Sequence, residues 1–330
     1  MPKDTPIIVI GFGSIGKRHY LNLKQLGFNR IGVFDASEQA FVGEAGVSRV
    51  EKLTSNSLAE FKIAFICTPT NLHLKYALLA ARAGCHLFIE KPLSHDLKGV
   101  NELIKLCRRK KLVNMVACNF RFNEGFKSLK RMVSSDELGQ PLTARVVIGH
   151  DLSQSRPGVD YRNTYAASRV GGGVILDSGA HAVDYLIDLF GAAKKAHGFL
   201  GNISKLEIKS EDFAEVIIKH QAGVVTTLSL DYFSRPKRHR VEIQFTAGWA
   251  TWDFVKNELT ISRADQKSIE TKKLYDGSTD DYRRNTMYTE EVAAFMALAA
   301  RQKTPITQDL SQAKRTLALL LQIKKQAKKI

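Results

Sequence analysis

Asp177, His181 and Asp184 are spaced four and then three residues apart. On a helix, all three side chains would project from one face. Histidine is the side chain best suited to moving a proton near neutral pH. A carboxylate beside it fixes its tautomer and raises its basicity. The apolar neighbours Ile175, Leu176, Val183, Leu186 and Ile187 make this helix, expected over 175–190, a largely buried one. A buried acid–base cluster is a stronger sign of chemistry than an exposed one. The plainer alternative is a solvated polar stripe, with His181 merely satisfied by a carboxylate. A second reactive group, Lys91, lies in the run Glu90-Lys91-Pro92, and the strand before it would deliver it to the cofactor side. There it can meet the His181 cluster across an interdomain cleft; the alternative is a surface lysine in a turn.

The cofactor side is marked by Gly11, Gly13 and Gly16. They follow the apolar run Ile7-Ile8-Val9-Ile10 and precede a helical apolar pattern that Gly27 stops. Strand, glycine turn and helix in that order form the dinucleotide-binding fingerprint. Gly11 serves the tight turn, Gly13 the backbone approach to a pyrophosphate, and Gly16 the close packing of helix on strand. The free N–H groups of the helix then face the phosphates. A second strand, 31–34, ends in Asp35, near the distance of about 20 residues expected for the acid that binds the ribose hydroxyls. Asp35 favours NAD over NADP, and Ala36 and Ser37 supply no cation for a 2′-phosphate. Lys17 and Arg18 are basic near a helix N-terminus, against the dipole rule; solvated and phosphate-binding roles are both open.

The elements around these residues fall into two patterns. Up to residue 117, strands and helices alternate, with strands at 63–67, 86–89 and 113–117 and helices at 71–84 (capped by Asn71) and 96–110 (capped by Ser94). Such alternation implies a doubly wound parallel sheet with ligands at the C-terminal strand ends, where Gly11, Thr68 and Lys91 all fall. Beyond it, a helix at 123–133 and a strand at 142–148 lead to a long polar-aromatic loop, 151–169, and the triple glycine 171–173. Six further strands, at 197–200, 213–219, 224–230, 241–245, 258–262 and 268–274, have no helix between them, so this half reads as α+β with a mostly antiparallel sheet. Two helices, 284–301 and 309–328, close the chain on either side of Pro305.

The 330 residues suit two domains, and 44% hydrophobic content supplies an ordinary core. No apolar run approaches the ~18 residues of a membrane span, and the N-terminus does not read as a signal peptide. The four cysteines form no metal or Cys-x-x-Cys pattern, which fits a reducing, cytoplasmic setting. The net charge of +16 is scattered in short clusters and accompanied by no nucleic-acid motif. Attraction of phosphorylated or nucleotide-linked substrates is the better account of it.

Gly11 to Gly16 followed by His19, Cys67-Thr68-Pro69-Thr70-Asn71-Leu72-His73, Glu90-Lys91-Pro92, Asn119-Phe120-Arg121-Phe122, and Gly171-Gly172-Gly173 leading to Asp177 and His181 together resemble the glucose–fructose oxidoreductase / inositol dehydrogenase (Gfo/Idh/MocA) family over essentially the whole chain. The resemblance implies a Rossmann domain over 1–122 and an α+β substrate and oligomerisation domain with an open sheet over 123–304. It also implies a final helical segment, 305–330, packing back on the first domain. It implies Lys91 as the group that holds the reacting hydroxyl and stabilises the alkoxide, His181 as general base, and Asp177 as orienter of substrate or of His181. The glycine loop with Phe12, Ser14 and Ile15 would line the dinucleotide, as would Thr68, Pro69, Asn71, His73, Glu90 and Lys91. No metal is required.

By the same resemblance, Asn119 and Arg121 lie near the cleft. The 151–169 loop, with Arg156, Asp160, Tyr161, Arg162 and Tyr165, offers hydrogen bonds and stacking for a sugar ring; an ordered polar loop at an oligomer contact is the alternative. The activity implied is NAD(P)-dependent oxidation of a secondary hydroxyl on a sugar, cyclitol or nucleotide sugar, in a homodimer or homotetramer. Two other classes compete: a glycoside hydrolase that keeps NAD bound, and a non-catalytic dinucleotide sensor.

Overall fold

The computed structural model describes residues 1–156, 158–266, 268–275, 280–304 and 308–330, with backbone only for 280–284. The chain divides into two compact units, Met1–Asn119 with Arg284–Leu317, and Phe120–Arg283 with Ala318–Ile330.

The first unit is built on six parallel strands: β1 (Ile7–Ile10), β2 (Ile31–Phe34), β3 (Ser48–Arg49), β4 (Ile63–Ile66), β5 (His86–Ile89) and β6 (Asn114–Val116). Their order is β3-β2-β1-β4-β5-β6. β1 and β4 are the central pair, and all eight of their residues are fully buried. That is the reason both are unbroken apolar runs: parallel strands covered on both faces have no solvent side to alternate toward. Four helices connect them, α1 (Ser14–Gln25), α2 (Ser55–Ala59), α3 (Thr70–Ala83) and α4 (Val100–Arg109). The strand order reverses between β1 and β4, which is where doubly wound sheets bind ligands.

Two helix starts differ from the expected ones. α3 begins at Thr70 with Pro69 in the capping position, so Asn71 lies within the first turn. α4 begins at Val100 behind Gly99 at φ +81°, four residues later than the Asp96 start. The Asp96 carboxylate instead accepts from Lys98 N at 3.0 Å, a local turn that competes with the helix.

The second unit carries a nine-stranded sheet. Its strands are β7 (Pro141–Gly149), β8 (Ala193–Gly201), β9 (Phe213–His220), β10 (Val225–Asp231), β11 (Arg238–Phe245), β12 (Gly248–Asp253), β13 (Glu258–Arg263), β14 (Ile269–Lys273) and the short β15 (Lys328–Lys329). The order is β14-β13-β12-β11-β7-β10-β9-β8-β15. Among the described residues only β7·β10 and β8·β15 pair in parallel, so the sheet is mostly antiparallel. Strict burial alternation along β9 shows one packed face and one open face. Two helices lie in this unit, α5 (Glu124–Ser135) and α6 (Ser178–Phe190). α5 packs so closely on β12 that a Cβ on Gly125 would meet the Trp252 indole at 2.1 Å.

β12 was not expected from the sequence, because Thr246-Ala247-Gly248 reads as a turn and no β-branched run follows. α6 begins three residues later than expected. Gly173 N bonds Ala166 O and Val174 N bonds Glu211 O, which holds the preceding segment in a loop.

Two last helices, α7 (Asp280–Ala299) and α8 (Leu310–Gln326), complete the chain. Its return to the first unit starts at Arg284 and not at 305. The fully buried Glu291 accepts from Cys118 N, Val116 N bonds Gln308 O at 2.8 Å, and Phe295 packs edge-on against Phe65 and Phe88. Residues 318–330 belong to the second unit, where β15 extends the sheet edge beside β8. The break at Pro305 lies outside the described residues. No helix among the described residues is long and apolar enough to cross a membrane.

Candidate active site

In the first unit the three fingerprint glycines have separate steric reasons. Gly11 stands at φ +96°, and a Cβ there would lie 2.6 Å from Thr68 N. A Cβ on Gly16 would lie 1.9 Å from the Gly11 carbonyl oxygen. These two are closed by the protein itself. Gly13, at the start of α1, has nothing within 4 Å of its Cβ position, so the helix N-terminus is open to a phosphate.

Asp35 caps this loop from the end of β2. One carboxylate oxygen accepts from Phe12 N at 2.6 Å and the other from Ser37 N at 2.9 Å. Thr68 Oγ1, at the end of β4, is buried with no hydrogen-bond partner. An open helix N-terminus, a carboxylate fixed beside it and an orphaned hydroxyl fit a dinucleotide. Lys17 pairs with Glu44 at 2.7 Å. Arg18 bonds Asn285 and stacks on Tyr288.

Lys91 follows β5. The carboxylate of Glu90 before it is buried, accepting from His19 Nε2 at 2.6 Å and from Lys91 N at 3.1 Å. Burial pushes the Glu90 pKa up, but the hydrogen bond and charge of His19, with the charges of Lys91 and His73, outweigh it and hold the group below the usual carboxylate range. His73 is also buried, with Nδ1 2.8 Å from Pro92 O and Nε2 2.7 Å from Thr68 O. Burial lowers its pKa. Pro69 and Asn71 are exposed on either side of Thr70.

In the second unit, Asp177 occupies the capping position of α6, and His181 is half-buried in the first turn. Asp177 accepts from Tyr165 OH at 2.6 Å and from Tyr232 OH at 3.1 Å. Burial, with the Asp177 charge next, pushes the Tyr232 hydroxyl pKa well up, so it stays a proton donor to that carboxylate. The His181 ring packs edge-to-face on Phe120 at 4.8 Å. His150 packs against Tyr232 at 5.3 Å, and burial lowers its pKa although Asp177 opposes this.

Asp184 faces Arg121. Nε and Nη2 of that guanidinium lie 2.7 Å from the two carboxylate oxygens, and Nη1 reaches Asp188 at 3.1 Å. Both partners of the main pair are buried. Sequence spacing placed Asp184 on the His181 face but did not show this Arg121 partner. Tyr161 and Arg162 sit apart from Asp177 in the loop's bonding: Arg162 pairs with Asp160 and Glu207, and Tyr161 OH accepts from Glu207 N. Asn119 is buried at the boundary of the first unit.

Sequence reasoning missed Tyr232 and His150, which directly follow the separate strands β10 and β7 and carry no motif. It had Tyr165 in the loop but not its carboxylate partner.

Residues 6–118 match the oxidoreductase family with an NAD-binding Rossmann fold, and residues 126–251 match the GFO/IDH/MocA C-terminal domain. The chain is 27% identical over 325 residues to an uncharacterized oxidoreductase, YrbE, of Bacillus subtilis, covering 93% of this chain and 90% of that one. It is 26% identical over 323 residues to the UDP-N-acetylglucosamine 3-dehydrogenase of Acidithiobacillus ferrooxidans, covering 96% and 95%. A crystal structure of an oxidoreductase from Agrobacterium radiobacter, in complex with NAD+, L-tartaric acid and magnesium, superposes with a TM-score of 0.82 at 17% identity, covering 98% of this chain and 96% of that one. With both halves matched in order and the cofactor cradle in place, the chain belongs to the GFO/IDH/MocA family of oxidoreductases.

Proposed function

We propose that the protein is an NAD-preferring dehydrogenase of a secondary hydroxyl on a sugar, cyclitol or nucleotide sugar. The observation that carries this reading is the Asp177–His181 start of α6. A half-exposed imidazole stands one turn from a carboxylate already oriented by two tyrosine hydroxyls. His181 takes the hydroxyl proton and returns it in the reverse direction. Asp177, fixed by Tyr165 and Tyr232, accepts a substrate hydroxyl. Lys91 donates to the reacting oxygen and stabilises it as negative charge develops. The dinucleotide, held by the glycine loop and Asp35, supplies the hydride carrier when bound. Arg121 acts through Asp184, fixing α6 behind His181, in place of the substrate contact expected of it.

The name of the full-length relative supports a nucleotide sugar as the substrate class, and the scattered positive charge suits one. The same reading has the open face of the second sheet, where Phe199 and Ile217 are exposed, covered by a second copy in a dimer or tetramer. A reducing, cytoplasmic setting suits the four buried thiols.

The test is a kinetic split on a substrate drawn from those classes. His181→Ala and Lys91→Ala should each lower kcat by roughly 10²–10⁴-fold with NAD affinity retained. Wild-type turnover in either variant would remove that residue from the mechanism.

A further inference from the structure

Two buried histidines of the first unit flank Lys91 in the chain's hydrogen bonding without facing solvent. His19 is 0% exposed and His73 1%, so neither surface is available to a substrate. Each instead bonds the residue on one side of Lys91. His19 Nε2 lies 2.6 Å from Glu90 Oε1, and the other Glu90 oxygen accepts from Lys91 N. His19 Nδ1 is buried with no partner, so the tautomer that satisfies the pair carries its proton on Nε2 and donates to the carboxylate. The ring is fixed in turn by Phe65, Phe88 and Tyr288, with centroids 5.0–6.0 Å away. After Lys91, the Pro92 carbonyl lies 2.8 Å from His73 Nδ1, while His73 Nε2 lies 2.7 Å from the Thr68 carbonyl. Both partners are carbonyl acceptors, so the neutral ring donates to one of them at a time, and the tautomer with its proton on Nδ1 is the one that holds Pro92.

We propose that His19 and His73 are positioning residues for Lys91, His19 through the Glu90 carboxylate that precedes it and His73 through the Pro92 carbonyl that follows it. Resting on the catalytic assignment of Lys91 above, this replaces the cofactor contact that family resemblance implies for Glu90 and His73. A buried carboxylate without a donor is costly. His19 therefore keeps Glu90 ionised and in one rotamer, and Glu90 fixes the Lys91 backbone and presents a negative charge to its ammonium. A misplacement of about 1 Å at such a group lowers turnover on the order of 100-fold.

The experiment reads Lys91 itself and needs no substrate. Lysines of the full chain are reductively methylated with ¹³C-formaldehyde and a borohydride reductant, and the Lys91 signal is identified by its loss in Lys91→Arg. Glu90→Gln should lower the pH at which Lys91 titrates by about one unit. His19→Leu should displace the Lys91 resonance, because the Glu90 carboxylate loses the donor that holds its rotamer. His19→Gln, whose amide can place an N–H where Nε2 stands, should keep the wild-type titration. His73→Leu should displace the Lys91 resonance, and His73→Asn, which keeps a donor toward Pro92, should restore it. NAD affinity reports folding of each variant. Should His19→Leu fail to fold, Glu90→Gln against His19→Gln carries the comparison. An identical Lys91 signal in all folded variants overturns the proposal. Turnover that survives Lys91→Ala instead refutes the catalytic assignment and leaves the positioning result standing.

Discussion

The Arg121 guanidinium grips the Asp184 carboxylate in a two-point fork, Nε and Nη2 each 2.7 Å from an oxygen. Both side chains are buried, at 6% and 2% exposure. Removing one partner of such a pair strands a charge and costs about 3–5 kcal/mol. Asp184→Ala should therefore lower the unfolding free energy measured by chemical denaturation by that amount, more than Asp160→Ala, which loosens the exposed Arg162. Equal, small effects at the two positions would mean that the buried fork does not hold α6.

Gly16 should tolerate no side chain. With a Cβ position 1.9 Å from the Gly11 carbonyl oxygen, Gly16→Ala must push α1 off β1, costing roughly 1–3 kcal/mol as overpacking does. It should also weaken NAD binding at least about tenfold, because the loop that presents the α1 N-terminus moves. Gly13→Ala, with open space at its Cβ, should leave stability unchanged and weaken only NAD binding. Titration calorimetry and melting of the two variants separate these outcomes.

Asp35 braces Phe12 N, and the proposed function has it face the ribose as well. Asp35→Ala should weaken both cofactors through the loop, and NAD more than NADP because the repulsion of a 2′-phosphate is lifted. The ratio of the two dissociation constants is the readout, and an unchanged ratio would refute the ribose role.

His239 sets an acid limit on the second unit. Packed among Phe120, Trp252 and Phe254, it is lowered by burial to about 3. Between about 6.5, its unfolded value, and about 3, the unfolded chain binds a proton that the folded one does not. Stability contributed by the neutral ring is complete above that window and declines as pH falls through it, at about 1.4 kcal/mol per pH unit. His239→Phe should remove close to one proton from the pH dependence of unfolding across this range. An unaltered slope would place the acid sensitivity elsewhere.

The first unit was legible because its chemistry is local. A glycine loop follows its strand directly, and Lys91 follows β5 within two residues, so strand ends and motif spacing locate them without tertiary knowledge. Element starts were less legible where a side chain offers the backbone another partner, as Asp96 does ahead of α4. The second unit was harder for a different reason. Asp177 is met by tyrosines 12 residues before it and 55 after it, and Asp184 by an arginine 63 residues before it. An i, i+3 or i, i+4 pattern on one helix says nothing about partners that distant. That is why the spacing placed Asp184 beside His181 and gave no sign of its bond to Arg121.

Net hydride transfer from a hydroxyl to NAD is the reaction proposed for this protein. The most direct measurement is the absorbance of reduced nicotinamide when the purified protein is mixed with NAD and a panel of sugars, cyclitols and nucleotide sugars, with NAD binding measured alongside. Accumulation of reduced cofactor with a member of the panel, at more than one equivalent per protein chain, is the predicted result. Confirmed NAD binding with no accumulation across the panel would contradict the account and favour a retained-cofactor hydrolase or a dinucleotide sensor.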